Sequence, residues 1–142
     1  MKTILSLFVF VTAFNAIAQQ PSAVIDTKSH KIVMQFSNGD SLQQLGVMTQ
    51  LGNIREAWPN AKIEVVCHSS GLDILTSAKS KVSKQIANLS EQGVVFAACH
   101  NTMKRRNVNK EDLVPSSVVV PSAMLEIVGK QEAHWSYLKA GY

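Results

Sequence analysis

Four short apolar runs, separated by longer stretches with helical periodicity, constrain the fold of this chain more than any other feature. The runs are predicted strands over residues 30–36, 62–67, 94–98 and 117–120. Short apolar runs of this kind are typical of strands that are buried on both faces. Because such strands alternate with helices along the chain, we predict a parallel sheet covered by helices on both faces.

The stretches between the runs carry the signals of helix starts, faces and ends. Asp40 or Ser41 is a candidate N-cap for a first helix, which presents one apolar face: Val47, Leu51, Ile54 and Trp58. A second helix is predicted over about 80–92, where Gly93 suits a C-terminal cap. A short helix is predicted over 102–107, and a last helix runs from Ser122 to about Leu138.

The number of strands favours one arrangement of the sheet. We predict a three-layer α/β/α sandwich with a parallel sheet of four to five strands in the flavodoxin-like order 2-1-3-4. Its switch point lies between the first and third strands, where ligands collect in open α/β sheets. This order places Asn38 and Gly39, in the turn after the first strand, beside Cys99, His100 and Asn101.

The first 18 residues are predicted to be a signal peptide. Lys2 forms the charged region, residues 4–17 are largely apolar, and Ala16-Ile17-Ala18 has the small-x-small pattern of a cleavage site. We therefore expect cleavage after Ala18 and an exported protein, periplasmic or secreted, with no membrane contact after cleavage. Residues 19–29 are predicted to be a loose arm, and 30–142 a single domain.

Composition and missing motifs exclude several classes of function. The formal net charge is +4, and the basic residues are spread along the chain apart from Lys104, Arg105 and Arg106, so nucleic acid is not expected as a partner. The chain lacks Gly-x-Gly-x-x-Gly, Walker, Gly-x-Ser-x-Gly and HExxH motifs. The pairs Cys67-His68 and Cys99-His100 offer metal-ligand types, but adjacent residues rarely bind one ion together, and we expect neither metal nor cofactor.

Cys99 is the candidate reactive residue. It stands where the third strand should end, followed by a predicted helix start and by three consecutive cations, Lys104 to Arg106. Such a setting lowers the pKa of a thiol and makes it nucleophilic. The alternative is that Cys99 is a small buried hydrophobic residue without chemistry.

The two cysteines, Cys67 and Cys99, are predicted to be free thiols. In the order 2-1-3-4 the second and third strands flank the first, so their ends lie roughly 9–10 Å apart. A disulfide needs Cα atoms within about 7 Å of each other. Export alone would favour a disulfide. The predicted strand order and the predicted compartment therefore give opposite expectations for this pair of cysteines.

The chain resembles the DsrE/DsrF/TusD-like sulfur-relay family over about residues 30–138. The residues that carry the resemblance are Cys99 with Arg105-Arg106, Phe36-Ser-Asn-Gly-Asp40, Ala57-Trp58-Pro59 before Ile63-Glu-Val-Val-Cys-His68, Asn101-Thr-Met-Lys-Arg-Arg106, and Val119-Val-Pro-Ser122 leading into Leu125-Glu126. The likeness is strongest to the single-domain branch of that family.

The resemblance implies an α/β/α sandwich that assembles as a homotrimer or hexamer, and a cysteine, here Cys99, that carries sulfur as a persulfide. A sulfur donor or acceptor protein is then a further partner. An alternative function is a non-catalytic oligomeric module that binds a small anion in the crevice at the switch point. The candidate ligand-binding residues are Asn38, Gly39, His100, Asn101, Lys104, Arg105 and Arg106.

Overall fold

The structure, a computed structural model, describes residues 25–141. The strands are β1 (Lys31–Phe36), β2 (Lys62–Cys67), β3 (Val94–Cys99), β4 (Val118–Val120) and β5 (Ser136–Ala140). The helices are α1 (Ser41–Ala57), α2 (Ser83–Glu91), α3 (His100–Arg106) and α4 (Ala123–Glu132). Two short 3-10 helices, Ser69–Leu75 and Lys110–Asp112, complete the described elements.

The five strands form one parallel sheet in the order β4-β3-β2-β1-β5, with helices on both faces. The predicted α/β/α class is confirmed, but the predicted order 2-1-3-4 is corrected. The chain steps from β1 to β4 in one direction and then crosses to the far edge for β5. Right-handed crossovers place helices on one face when the chain steps one way and on the other face when it returns.

The two faces of the sheet are covered unequally for this reason. On the α1–α3 face, the sheet packs against α1, α2 and α3 around residues such as Phe36, Leu51 and Phe96. On the α4 face, a smaller cluster forms between the sheet and α4, with Val33, Val66, Ala97, Cys99, Ala123 and Ile127. Because α4 packs mainly on β1 and β2, the β3–β4 side of that face is only partly covered: Val95 and Val118 are exposed, while Ala97 and Cys99 are buried.

The end of the chain differs from the sequence prediction. The last helix was predicted to run to about Leu138, but α4 ends at Glu132 and residues 136–140 form β5. His134 makes the turn between them with a left-handed φ of 62°. The strand pairs with β1, Ile32 against Ser136 through Phe36 against Ala140. For these residues, backbone hydrogen bonds to the open edge of the sheet outweigh the local pattern that predicted a helix.

Local signals at the helix ends agree with the sequence. The Asp40 side chain caps α1 by accepting hydrogen bonds from the backbone N–H groups of Leu42 and Gln43, as predicted. Gly93 follows α2 with a φ of 85°, a conformation that favours glycine. Asn107 closes α3 with a left-handed φ of 52°.

The predicted signal peptide, residues 1–18, lies outside the described residues, as does most of the predicted arm. The described part of the arm contacts the domain: the Asp26 N–H donates to Ala57 O at 2.9 Å. His30 stacks on Trp58 with ring centroids 4.1 Å apart. No helix within residues 25–141 has the length and apolar character needed to cross a bilayer.

Candidate functional site

Cys99 lies at the carboxyl edge of the sheet, where β3 ends and α3 begins at the next residue. Its side chain belongs to the cluster on the α4 face and is 4% exposed. The loop before α4 folds over this point, so the first N–H of α4, that of Ala123, donates to Cys99 Sγ at 3.3 Å. The sulfur therefore lies beside the start of two helices, which is a favourable place for a negative charge.

The hydrogen-bond donors around Cys99 control its acidity. Burial alone would raise the pKa of the Cys99 thiol, but the N–H of Ala123, the hydroxyl and N–H of Thr102 and the N–H of Asn101 together lower it below its ordinary value. Donors of this kind favour the thiolate because a hydrogen bond to the charged sulfur is stronger than one to the neutral thiol. The arrangement combines a shielded sulfur with a stabilised anionic form.

Thr102 is held in place from the loop after β2. It is buried, and its hydroxyl oxygen accepts a hydrogen bond from the Ser69 N–H at 3.2 Å. Ser69 has a left-handed φ of 54°, which is unusual for a residue other than glycine. With its oxygen occupied in this way, the Thr102 hydroxyl proton is free to turn toward the sulfur.

The three cations after Cys99 are predicted to activate it, but in the structure one of them binds other residues and two are exposed. Arg106 donates to Ser69 O at 2.8 Å and to the Asp73 carboxylate at 2.7 Å, so it fastens α3 to the loop after β2. Arg105 is exposed, and its charge helps to lower the pKa of His68. Lys104 is exposed. The low pKa of Cys99 comes from hydrogen-bond donors, which corrects the predicted cause.

His68 is a polar residue of this edge that the sequence prediction left out. Cys67 pairs with Ala98, so His68, one residue further, lies level with Cys99 on the neighbouring strand. His68 Nε2 contacts Gln35 Nε2 at 2.8 Å, and Gln35 pairs with Val66 of the α4 face. His68 and Cys99 therefore lie on the same face of adjacent strands, about 5 Å apart along the sheet.

The environment of His68 favours the neutral form of its ring. Burial lowers the pKa of His68, and the positive charge of Arg105 lowers it further. The ring nitrogens contact Gln35 at Nε2 and the Ser69 hydroxyl at Nδ1, the latter at 3.0 Å. His68 can be predicted as part of the site only if β2 and β3 are known to be neighbours, and the predicted order placed β1 between them.

Asn38 and Gly39 do not lie beside Cys99, because β2 separates β1 from β3. The predicted crevice between the first and third strands is therefore corrected. The Gly39 N–H donates to the Ser70 hydroxyl at 3.2 Å, and the Asn38 side chain accepts from the Asp40 N–H at 3.0 Å. Both residues belong to a loop that packs against the loop after β2.

His100 and Lys104 line a cleft of about 400 Å³ together with Lys110. The cleft lies on the α1–α3 side, since its other residues include Val119, the register partner of Ala98, and the core residue Met103. The Cys99 thiol lies on the opposite face. Asn101 has an exposed side chain and contributes its backbone N–H to Cys99.

Both cysteines of the chain are free, as predicted, but for a different reason. Their strands are neighbours, and Cys67 packs in the core of the α1–α3 face while Cys99 packs on the α4 face. Their side chains point to opposite faces and cannot bond. Burial raises the pKa of the Cys67 thiol far above its ordinary value. The described residues contain no group of three or more metal-ligand side chains.

The sequence model of the DsrE/DsrF-like family matches residues 17–140. No curated protein matches the chain. Among solved structures, a protein of unknown function from Methanobacterium thermoautotrophicum, MTH1491, is 29% identical with a TM-score of 0.74. The match covers 78% of this chain and 99% of that protein.

A second solved structure, the ychN protein from E. coli, is 15% identical with a TM-score of 0.61. That match covers 78% of this chain and 98% of the other. At this identity the likeness concerns the fold. Both matches span nearly the whole length of the other protein.

Proposed function

The chain belongs to the DsrE/DsrF-like family, and on that premise we propose that it is an exported protein that handles sulfane sulfur through a persulfide on Cys99. Family membership supports a role related to sulfur relay. The observation that carries the residue assignment is the set of hydrogen-bond donors that lowers the pKa of the buried Cys99 thiol.

The proposed chemistry is nucleophilic attack by the Cys99 thiolate on a sulfane sulfur. The thiolate forms a new S–S bond to the terminal sulfur of a donor persulfide, and the S–S bond of the donor breaks. The donor leaves as a thiolate with the electron pair of that bond. The terminal proton moves with the sulfur, so the step needs no external oxidant or reductant.

The surroundings of Cys99 suit a small sulfur donor. With 4% of the residue exposed, the sulfur is reached by a chain of sulfur atoms more readily than by a folded protein. The N–H groups of Ala123 and Asn101 stabilise the attacking thiolate and remain beside the sulfur atom that carries the persulfide. His68 shapes the site, because both of its ring nitrogens already have partners.

Intact-mass measurement tests the assignment. Protein from the exported fraction, after incubation with inorganic polysulfide, is expected to start at Gln19 and to gain about 32 Da, the mass of one sulfur. Cys99→Ala should abolish the gain, and Cys67→Ala, the matched control at the other thiol, should retain it. A gain that survives in Cys99→Ala, or that is absent in a folded wild-type protein, contradicts the persulfide role.

A second candidate function is the binding of a small anion without catalysis. The cleft beside α3 favours it, because His100, Lys104 and Lys110 line this space and no acidic residue does. An unchanged mass in that measurement, together with saturable thiosulfate binding in a separate titration of the folded protein, would support this function instead of persulfide formation.

Exposed apolar residues on the α4 face of the sheet and on α4 itself support the proposal that the protein is a homotrimer or hexamer. Val95 and Val118 are 39% and 46% exposed on this part of the sheet. The α4 helix also exposes Met124, Leu125 and Val128, to 49%, 71% and 50%. Exposed apolar side chains in this number are typical of protein interfaces. Leu113 and Val114, whose exposed side the sequence suggests as an apolar contact between subunits, are buried within the subunit, so this part of the expectation is wrong.

Leu125→Asp tests this interface, because a charge in an apolar contact opposes association. We expect light scattering at micromolar concentration to give a multiple of three subunits for the wild type and a monomer for the variant. Leu42→Asp is the matched control: Leu42 is 73% exposed on α1, away from the α4 face. A wild-type monomer, or a Leu125→Asp protein with unchanged mass, would contradict the proposed assembly.

A further inference from the structure

A cleft of about 640 Å³ lies between α1 and α2, on the side of the sheet away from the Cys99 thiol. Its apolar part includes Met48 of α1 and Leu89 of α2, which are 7% and 8% exposed and belong to the main core. Gly52 borders the cleft, and a Cβ at this position would meet nothing within 4 Å. The missing side chain keeps the cleft open.

The charged residues that line the cleft are both positive. Arg55 lies near the end of α1, and Lys84 lies in the first turn of α2. No acid lines the cleft, and within residues 25–141 neither cation forms an ion pair. A largely apolar cleft with two unpaired cations favours a ligand that has an apolar body and a negative charge.

Arg55 has one occupied edge and one unoccupied edge. Its Nη1 donates to Pro59 O and Ala61 O, each at 2.9 Å. Its Nε and Nη2 are buried and have no hydrogen-bond partner in the described part of the chain. The N–H groups of these two nitrogens project side by side, which is the geometry that binds a carboxylate through both oxygens.

Leaving two donors of a buried guanidinium without partners is unfavourable, so a group from outside the described chain should complete them. The cleft runs along α1 from Leu45 to Arg55, ten residues or about 15 Å of helix. We propose that the cleft between α1 and α2 binds an amphipathic carboxylate, with its head on Arg55 and its straight apolar chain along Met48 and Leu89. This site is independent of the chemistry at Cys99.

Calorimetric titration of the purified protein with decanoate, below the concentration at which decanoate self-associates, tests the proposal. We expect saturable binding of decanoate that is at least about tenfold tighter than that of decanol or acetate, because decanol lacks the charge and acetate lacks the apolar chain. Equal binding of decanol would overturn the carboxylate assignment, and no binding of decanoate would overturn the site.

Gly52→Leu fills the cleft and should weaken decanoate binding at least about tenfold. Gly46→Leu is the matched control, because Gly46 lies on the same helix with equally open space around it but does not line the cleft. Both replacements improve helix propensity and should leave the protein folded. Unchanged decanoate affinity in Gly52→Leu, or an equal loss in Gly46→Leu, would place the ligand elsewhere and overturn the proposal.

Discussion

Gly71→Ala is expected to lower the free energy of unfolding by about 3 kcal/mol, the upper part of the usual range for overpacking. A Cβ on Gly71 would lie 2.5 Å from Phe36 O and 2.7 Å from Ser37 Cα. Both are backbone atoms at the end of β1, so they cannot rotate away as a side chain does. Gly39 belongs to the loop after β1 and meets the loop after β2 in the same way: a Cβ on Gly39 would lie 2.3 Å from Ser70 O.

Urea unfolding measures this effect through the shift of its midpoint. Gly46→Ala is the control, because a Cβ there has nothing within 4 Å. Alanine is the better helix former, so this variant should match the wild type or exceed it by up to about 1 kcal/mol. If Gly71→Ala unfolds at the same urea concentration as Gly46→Ala, the close packing of the two loops is wrong.

The two thiols are expected to react with an alkylating reagent at very different rates. Only the thiolate reacts, so the rate rises with pH through the pKa of the thiol and then levels off. The donors around Cys99 lower its pKa, which places the midpoint of its profile below the ordinary value of about 8.5. Cys67, with a raised pKa and no exposed surface, should stay unlabelled until the protein unfolds.

Thr102→Val tests the cause of this difference. Loss of the hydroxyl donor should move the midpoint of the Cys99 profile upward by about one pH unit, which corresponds to about 1.4 kcal/mol. Thr49→Val is the control, because the Thr49 hydroxyl donates to Leu45 O in its own helix. Mass spectrometry of the labelled peptides follows each thiol separately. Equal profiles for Cys99 and Cys67 would refute the activation of Cys99.

The candidate site could be predicted only in part from the sequence. Cys99 was identified because an apolar run ends there, and the run is β3. The cause of its low pKa could not be predicted, since the donors come from Thr102, three residues away, and from Ala123, 24 residues away. The nearby cations were the visible signal, yet Arg106 binds Asp73 and the loop after β2 instead.

The pairing of strands was the step that sequence reasoning could not make. The predicted order separated β2 from β3, so His68 was not considered beside Cys99, and Asn38 and Gly39 were placed there instead. Register is a property of two segments that lie far apart in the chain. The pattern within one segment shows that it is a strand and does not show which strand it joins.

The amino-acid sequence by itself determined the alternation of four strands with helices, the α/β class, the Asp40 cap and the position of Cys99 at a strand end. Each of these depends on local periodicity or on a single capping or turn residue. Only the tertiary structure decided the order β4-β3-β2-β1-β5 and the extension of residues 136–140 as β5. It also placed Cys67 and Cys99 on opposite faces of the sheet. All of these features depend on hydrogen bonds and packing between segments that lie far apart in the chain.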